Sequence, residues 1–126
     1  MNTITLSNGL SVGNFSSPHQ FNFVDGTILE PVSSDESRRL SMRVSEKISS
    51  NNKFEDVEIS FELGEAVEKE VGKIMSMDID VVLIPLPMLL ALKREKGIEW
   101  VKGSPFRAVR VADRISKKIE INKFCI

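Results

Sequence analysis

Ile79-Asp80-Val81-Val82-Leu83-Ile84-Pro85-Leu86-Pro87 runs directly into Met88-Leu89-Leu90-Ala91-Leu92-Lys93. Val81 to Ile84 is an unbroken apolar run of β-formers with no polar residue at alternate positions, the pattern of a strand buried on both faces between parallel neighbours. Pro85 ends its ladder, and Pro87 suits the opening of a helix, where a missing N–H costs nothing. That helix is expected over Pro87–Lys96, with Gly97 as its C-terminal stop. A strand that bends through two prolines into a helix leaves free amides at a strand's carboxyl end, where small anionic ligands settle in sheets with helical crossovers.

Just upstream, Val57-Glu58-Ile59-Ser60-Phe61-Glu62-Leu63 alternates strictly, which predicts a strand with one dry and one wet face. A helix over 65–75 follows, with Val67, Val71, Ile74 and Met75 inward. Strand, helix and elbow strand with short connections predict a right-handed βαβ unit. Further upstream, Ser33 and Glu36 form a capping box for a helix to about Ile48, striped by Leu40, Val44 and Ile48. Arg38, Arg39 and Arg43 lie off that stripe, either as a solvated face or, for Arg39 and Arg43, as an anion-facing pair at a subunit boundary. Ser49–Asn52 reads as loop.

Two hairpins are predicted at the N-terminus. The first pairs Thr3–Ser7 with Leu10–Val12 across Asn8-Gly9, putting Ile4, Leu6, Leu10 and Val12 on one face. The second pairs Phe21–Val24 with Thr27–Leu29 across Asp25-Gly26, and Pro31 closes it. At the other end, strands over 106–112 and 117–122 are joined by a turn at Asp113-Arg114. Arg110 shares a pleat face with Phe106, Ala108 and Ala112, and Arg107 shares the other with Val109 and Val111. Arginines set among apolar strand residues need a partner. Asp113 is one candidate; a phosphate gripped by guanidinium forks is the other.

The whole, residues 1–126, is therefore expected to be one mixed α+β domain. It comprises N-terminal hairpins over 1–31, then a helix, a βαβ unit and C-terminal strands over 32–126. The sheet is mostly antiparallel, with one βαβ unit, a C-terminal strand pair and three helices. Met88 to Leu92 is apolar nearly all round its helix. Either a second copy of the chain covers its outer side, or the helix is sandwiched between sheet and hairpins.

Composition narrows the function. A net charge of −1 and 28% charged residues suggest neither DNA nor an anionic membrane as partner. No apolar run is long enough to span a bilayer, and no signal peptide is evident, so a cytoplasmic setting is expected. The single cysteine, Cys125, excludes an internal disulfide framework, and no Cys/His cluster has metal spacing. The one histidine, His19, lies in a polar loop. No metal, cofactor or catalytic residue is expected.

The elbow run, the later Arg107-Ala108-Val109-Arg110-Val111-Ala112-Asp113-Arg114-Ile115-Ser116-Lys117, the tail Lys123-Phe124-Cys125 and the early Phe23-Val24-Asp25-Gly26-Thr27-Ile28-Leu29-Glu30-Pro31 together resemble small phage proteins of the Thoeris anti-defence type. The similarity covers most of the chain from Phe21 on. It implies a sponge that binds cyclic ADP-ribose isomers (glycocyclic ADP-ribose among them) made by TIR-domain enzymes. The sponge holds them uncleaved, so that the host's effector is never switched on. It also implies homodimers that extend to hexamers, a ligand enclosed at a subunit interface, and for some members cyclic oligonucleotides as further ligands.

For such a ligand the expected contacts are Arg107, Arg110 and Arg114 on the diphosphate and Asp113 on the ribose hydroxyls. Pro85, Leu86, Pro87, Met88 and Phe106, with Trp100, would form the apolar walls and the helix start, with Arg39 and Arg43 as additional cations. Two other readings stand beside this one. One is a small nucleotide phosphodiesterase or hydrolase using Asp78, Asp80 and Asp113; the other is an interaction module whose Met88–Leu92 helix grips a host protein.

Overall fold

The computed structural model describes residues 2–33, 40, 42–64 and 66–126. Its main sheet has five strands in the order β1 (Asn2–Thr5), β2 (Ser11–Asn14), β7 (Val81–Leu83), β8 (Phe106–Val111) and β9 (Ile119–Cys125). β7 is central and parallel to both neighbours, while the β1–β2 and β8–β9 pairs are antiparallel. Two further antiparallel pairs stand outside it, β3 (Phe21–Asn22) with β4 (Ile28–Leu29) and β5 (Met42–Ser50) with β6 (Glu55–Leu63). Three helices are present among the described residues: α1 (Val67–Met75), α2 (Leu86–Lys96) and α3 (Ile98–Gly103). The expected α+β class, with antiparallel pairs in the majority, is what forms.

The central strand explains its own sequence. Val82 and Ile84 enter a core with Phe15, Phe106 and the buried faces of the three helices. Val81 and Leu83 enter a second core with Leu6, Val12, Phe23, Leu29 and Ile119. Both faces of β7 are therefore dry, which is why no polar residue alternates there. Both N-terminal hairpins form as expected, with Gly9 and Gly26 at φ +88° and +86° in their turns, a conformation that a Cβ disfavours. Ile4, Leu6, Leu10 and Val12 belong to the same core.

Several expectations are corrected. Residues 42–48, expected to be helical, form strand β5, with Arg43 at its base. Leu40, Val44 and Ile48 recur every four residues, a spacing that fits a helical stripe and one face of a strand equally. The capping residue Glu36, with Arg38 and Arg39, lies outside the described residues. Ser49 and Ser50 end β5, and only the following residues make the turn. Asn51 closes it by accepting the Lys53 and Phe54 N–H groups at 2.8 and 2.9 Å.

Strand β6 pairs only with β5, so the expected βαβ unit across residues 57–84 does not form. The unit that does form is the next one along: β7, α2 and α3, then β8 parallel to β7. Nor does β6 have the expected dry face, being exposed from Glu55 to Glu62. In α1, Val67, Val71 and Ile74 are buried, but Met75 is exposed. On α2, Met88, Leu89, Ala91 and Leu92 are buried while Leu86 and Leu90 are not, so this helix has a broad apolar face rather than an all-round one. α3 was not foreseen; it packs Trp100 face to face with Phe106, ring centroids 6.3 Å apart.

Candidate functional site

β7 stops at Leu83, and Pro85 then swings the chain into α2, whereas neighbouring β8 continues to Val111. The space that β7 vacates is a cavity of about 490 Å³ at the carboxyl end of the parallel strands. Leu83, Ile84, Pro85 and Leu86 form its elbow wall, and Ala108, Val109 and Cys125 form its β8–β9 wall. The third wall is the loop Ser16-Ser17-Pro18-His19 with Phe21. Pro18, His19 and Leu86 are exposed at its edge.

That loop is held from within by a fully buried asparagine. Asn14 accepts the N–H groups of Ser16 and Ser17 at 3.3 and 2.9 Å and donates to the carbonyls of Ser17 and Glu30 at 3.0 and 3.1 Å. The Ser16 hydroxyl donates to Leu83 O at 3.3 Å, tying loop to elbow. A buried polar side chain with all its groups satisfied fixes one local conformation. The wall is thus preformed, and its surface is mainly hydrocarbon with hydroxyls and an imidazole at the edge.

The helix start offers less than expected to an anion. Met88 and Leu89 both donate to Pro85 O at 3.1 Å, and Pro87 has no N–H, which leaves the Leu86 amide as the one first-turn donor with no partner among the described residues.

Of the predicted site residues, Pro85 and Leu86 line the cavity. Pro87 faces a second groove of about 310 Å³, lined also by Ile59, Phe61, Leu90 and Arg94. Met88 and Phe106 lie in the helical core at 2% and 0% exposure, which takes them out of reach of a ligand; Trp100 packs against the same core. Arg107 is fully engaged: its Nη1 donates to the carbonyls of Val101, Ser104 and Phe106 at 2.8, 2.9 and 2.7 Å, and its Nη2 to Lys102 O at 3.0 Å. It closes the C-terminus of α3, where cations are favoured, and burial lowers its pKa.

Asp113 likewise serves its own turn. Its carboxylate accepts the Ile115 N–H at 3.0 Å and the Ser116 hydroxyl at 3.1 Å, and these bonds, the backbone one foremost, hold its pKa below the usual carboxylate value. No arginine among the described residues pairs with it. Arg110 and Arg114 are exposed with no partner among the described residues, and Arg110 is the next residue along β8 after the cavity-lining Val109. Arg43 stands apart on the β5–β6 ribbon, 4.0 Å from Glu62, and Arg39 lies outside the described residues.

Sequence reasoning located the elbow but missed the Ser16–His19 wall, Phe21 and Cys125. The signal available was Asn14 followed by Ser16 and Ser17, a side chain suited to accept from amides two and three residues on. No group of three or more His, Cys, Asp or Glu side chains is arranged to hold a metal among the described residues. No helix there is long and apolar enough to cross a membrane. Comparison with family models, with curated proteins and with solved structures gives no match.

Proposed function

We propose that this protein is a non-catalytic binder that sequesters a cyclic nucleotide signal of the cyclic ADP-ribose type. It acts as a homo-oligomer, a dimer extending to a hexamer, in the cytoplasm of an infected bacterium, and it silences Thoeris immunity by holding the signal intact. The observation that carries the binding reading is the elbow cavity of about 490 Å³. Its size is that of a site for one small molecule, and it occupies the carboxyl ends of parallel strands, where such sites recur.

The division of chemistry around it supports a ligand with a flat apolar part and an anionic part. Phe21, Leu83, Pro85 and Val109 present hydrocarbon and ring surface to a base. Ser17 and His19 stand at the edge for hydroxyls. Arg110 follows Val109 and is uncommitted, so its guanidinium is available to a phosphate outside the apolar part. Sequestration requires affinity and slow release and no transition-state stabilisation, so an apolar preformed pocket suffices. The cyclic ADP-ribose identity, and cyclic oligonucleotides as further ligands, rest on the resemblance of the sequence to Thoeris anti-defence proteins.

The test is thermal unfolding with a panel of cyclic ADP-ribose isomers and cyclic oligonucleotides, followed by recovery of the bound compound after heat denaturation. A ligand that binds the native state raises the midpoint. Sequestration predicts a raised midpoint and an unaltered compound. Hydrolysed product would transfer the function to the carboxylate hydrolase reading, and no shift across the panel would end the proposal.

A further inference from the structure

Three consecutive carbonyls at the elbow meet different fates. The Leu83 carbonyl accepts the Ser16 hydroxyl at 3.3 Å, and the Pro85 carbonyl accepts the amides of Met88 and Leu89, each at 3.1 Å. The Ile84 carbonyl between them accepts from nothing among the described residues. Ile84 is nevertheless buried, with 5% of its surface exposed. By contrast, no buried side-chain nitrogen or oxygen among the described residues lacks a partner.

The group that would complete this ladder is the Val109 amide. Val82 N and Ile84 N donate to the carbonyls of Pro105 and Arg107 at 2.8 and 3.0 Å, and the paired register ends at Leu83↔Arg107. Successive residues of a strand direct their N–H and C=O to alternate sides. Arg107 directs its carbonyl at Ile84 N, so Val109, two residues on, directs its amide to the same side, toward Ile84 O. That next rung is not formed, because Pro85 turns the chain out of the sheet into α2. Ile84 and Val109 both line the elbow cavity. Buried backbone groups are nearly always paired, so a donor and an acceptor left facing each other in an apolar cavity wall mark a place for a guest's polar atom.

We infer that this open rung is the sugar-recognition point of the cavity, where one ribose hydroxyl of the ligand accepts from Val109 N–H and donates to Ile84 O. A hydroxyl is the smallest organic group that does both at once. It keeps the two bonds that a bridging water would make. A phosphate or carboxylate oxygen only accepts, which would leave Ile84 O unpaired, and an ammonium only donates. The position suits a sugar as well. The rung adjoins the hydrocarbon of Pro85 and Val109 and lies one residue from the uncommitted Arg110, and in a nucleotide the sugar joins base to phosphate. Asp113, the ribose acceptor expected from the sequence, is committed to its own turn, so the backbone takes that role. The assignment rests on the nucleotide-binding reading above and names the part of the ligand that the sheet itself holds.

Amide-resolved NMR on the full chain tests this, with adenosine, 2′-deoxyadenosine and 3′-deoxyadenosine as probes and alkylation of the cavity-lining Cys125 as the measure of occupancy. Without ligand, the Val109 amide is expected to exchange with solvent at least about a hundredfold faster than the bonded amides of Val82 and Ile84. Adenosine at millimolar concentration is expected to slow alkylation of Cys125 and to shift the Val109 amide resonance. Loss of the 2′ or the 3′ hydroxyl should weaken that binding at least about tenfold, because the buried backbone pair is left unsatisfied. A Val109 amide as protected as that of Val82 overturns the assignment and leaves the binding reading untouched. Equal protection of Cys125 by all three nucleosides does the same. Failure of all three to protect Cys125 also overturns it, and the thermal panel of cyclic nucleotides then decides the binding reading separately.

Discussion

Ser11 and Asp80 are joined by three hydrogen bonds. Ser11 N and Oγ donate to Asp80 Oδ2 at 2.9 and 3.1 Å, and Asp80 N donates to Ser11 Oγ at 2.8 Å. The pair sits immediately before the parallel register Val12↔Val81 begins, so it sets how the N-terminal hairpin docks onto the central strand. It also commits one of the carboxylates on which a hydrolase reading depends.

Asp80→Ala is accordingly expected to destabilise the fold by about 1–3 kcal/mol, because it leaves a backbone amide and a hydroxyl without their acceptor. Asp80→Asn keeps a carbonyl acceptor and should recover part of the loss. Urea unfolding measures both. Equal stability of Asp80→Ala and wild type would remove this pair from any role in register.

Arg107 teaches a different lesson, since its guanidinium spends itself on the carbonyls at the end of α3. Arg107→Ala should lower stability by about 2 kcal/mol, in the range of hydrogen bonds from a charged donor. Arg107→Lys should rescue little, because a single ammonium cannot reproduce the fork. Calorimetric affinity for any nucleotide that binds should stay within about threefold of wild type in the folded variant, a change of under 1 kcal/mol. A large affinity loss at unchanged stability would restore Arg107 to the ligand.

Asp25 ties the two N-terminal hairpins together, accepting Ser7 N and Thr27 N, each at 2.9 Å. These bonds, the one from Ser7 foremost, hold its pKa far below the ordinary 3.8. The folded state thus favours the ionised form, so the stabilisation is complete above 3.8 and is lost progressively as the pH falls below it. Asp25→Asn should cost stability at neutral pH and make the acid limb of the stability curve shallower. If wild type and variant lose stability in parallel below pH 3.8, the carboxylate is not responsible.

What could be read in advance depended on whether one periodicity stood alone. Val81–Ile84 admits only a doubly buried strand, and the Asn8-Gly9 and Asp25-Gly26 turns admit little but hairpins, so these were legible. Leu40, Val44 and Ile48 recur at a spacing shared by helix and strand, so their periodicity does not decide between the two. Burial was harder still. Phe61 and Ile59 alternate as if packed, yet both stay exposed beside α2, and alternation alone cannot say whether a face is buried. The elbow was foreseen from its prolines, but its opposite wall depends on Asn14 folding the Ser16–His19 loop back on Leu83, a contact between residues far apart in sequence.

Cys125 gives that cavity a chemical reporter. Its thiol lies part-buried in the wall, with Sγ 3.5 Å from Val109 O, and it is the only cysteine in the chain. A ligand filling the cavity should slow alkylation of Cys125 by about tenfold at a concentration near ten times its Kd, since only the unliganded fraction reacts. Mass spectrometry of an iodoacetamide time course reads this directly. Undiminished alkylation at saturating ligand would place the ligand elsewhere on the molecule.

Arg110 and Arg114 separate the cavity's charge from the surrounding surface. Both are exposed and uncommitted, but only Arg110 adjoins a cavity-lining residue, while Arg114 lies in the turn that Asp113 braces. Neither holds the fold together, so Arg110→Ala and Arg114→Ala should unfold at the wild-type midpoint. For a phosphate-bearing ligand, Arg110→Ala should weaken binding by about 1.5–3 kcal/mol, as expected for a charge-assisted contact, and the loss should shrink at high salt. Arg114→Ala should cost well under 1 kcal/mol, as a charge acting only at long range through water. Equal losses would mean that the whole basic edge attracts the anion without a specific contact. No loss in either variant would mean that the phosphates, if bound, are held by groups outside β8 and its turn.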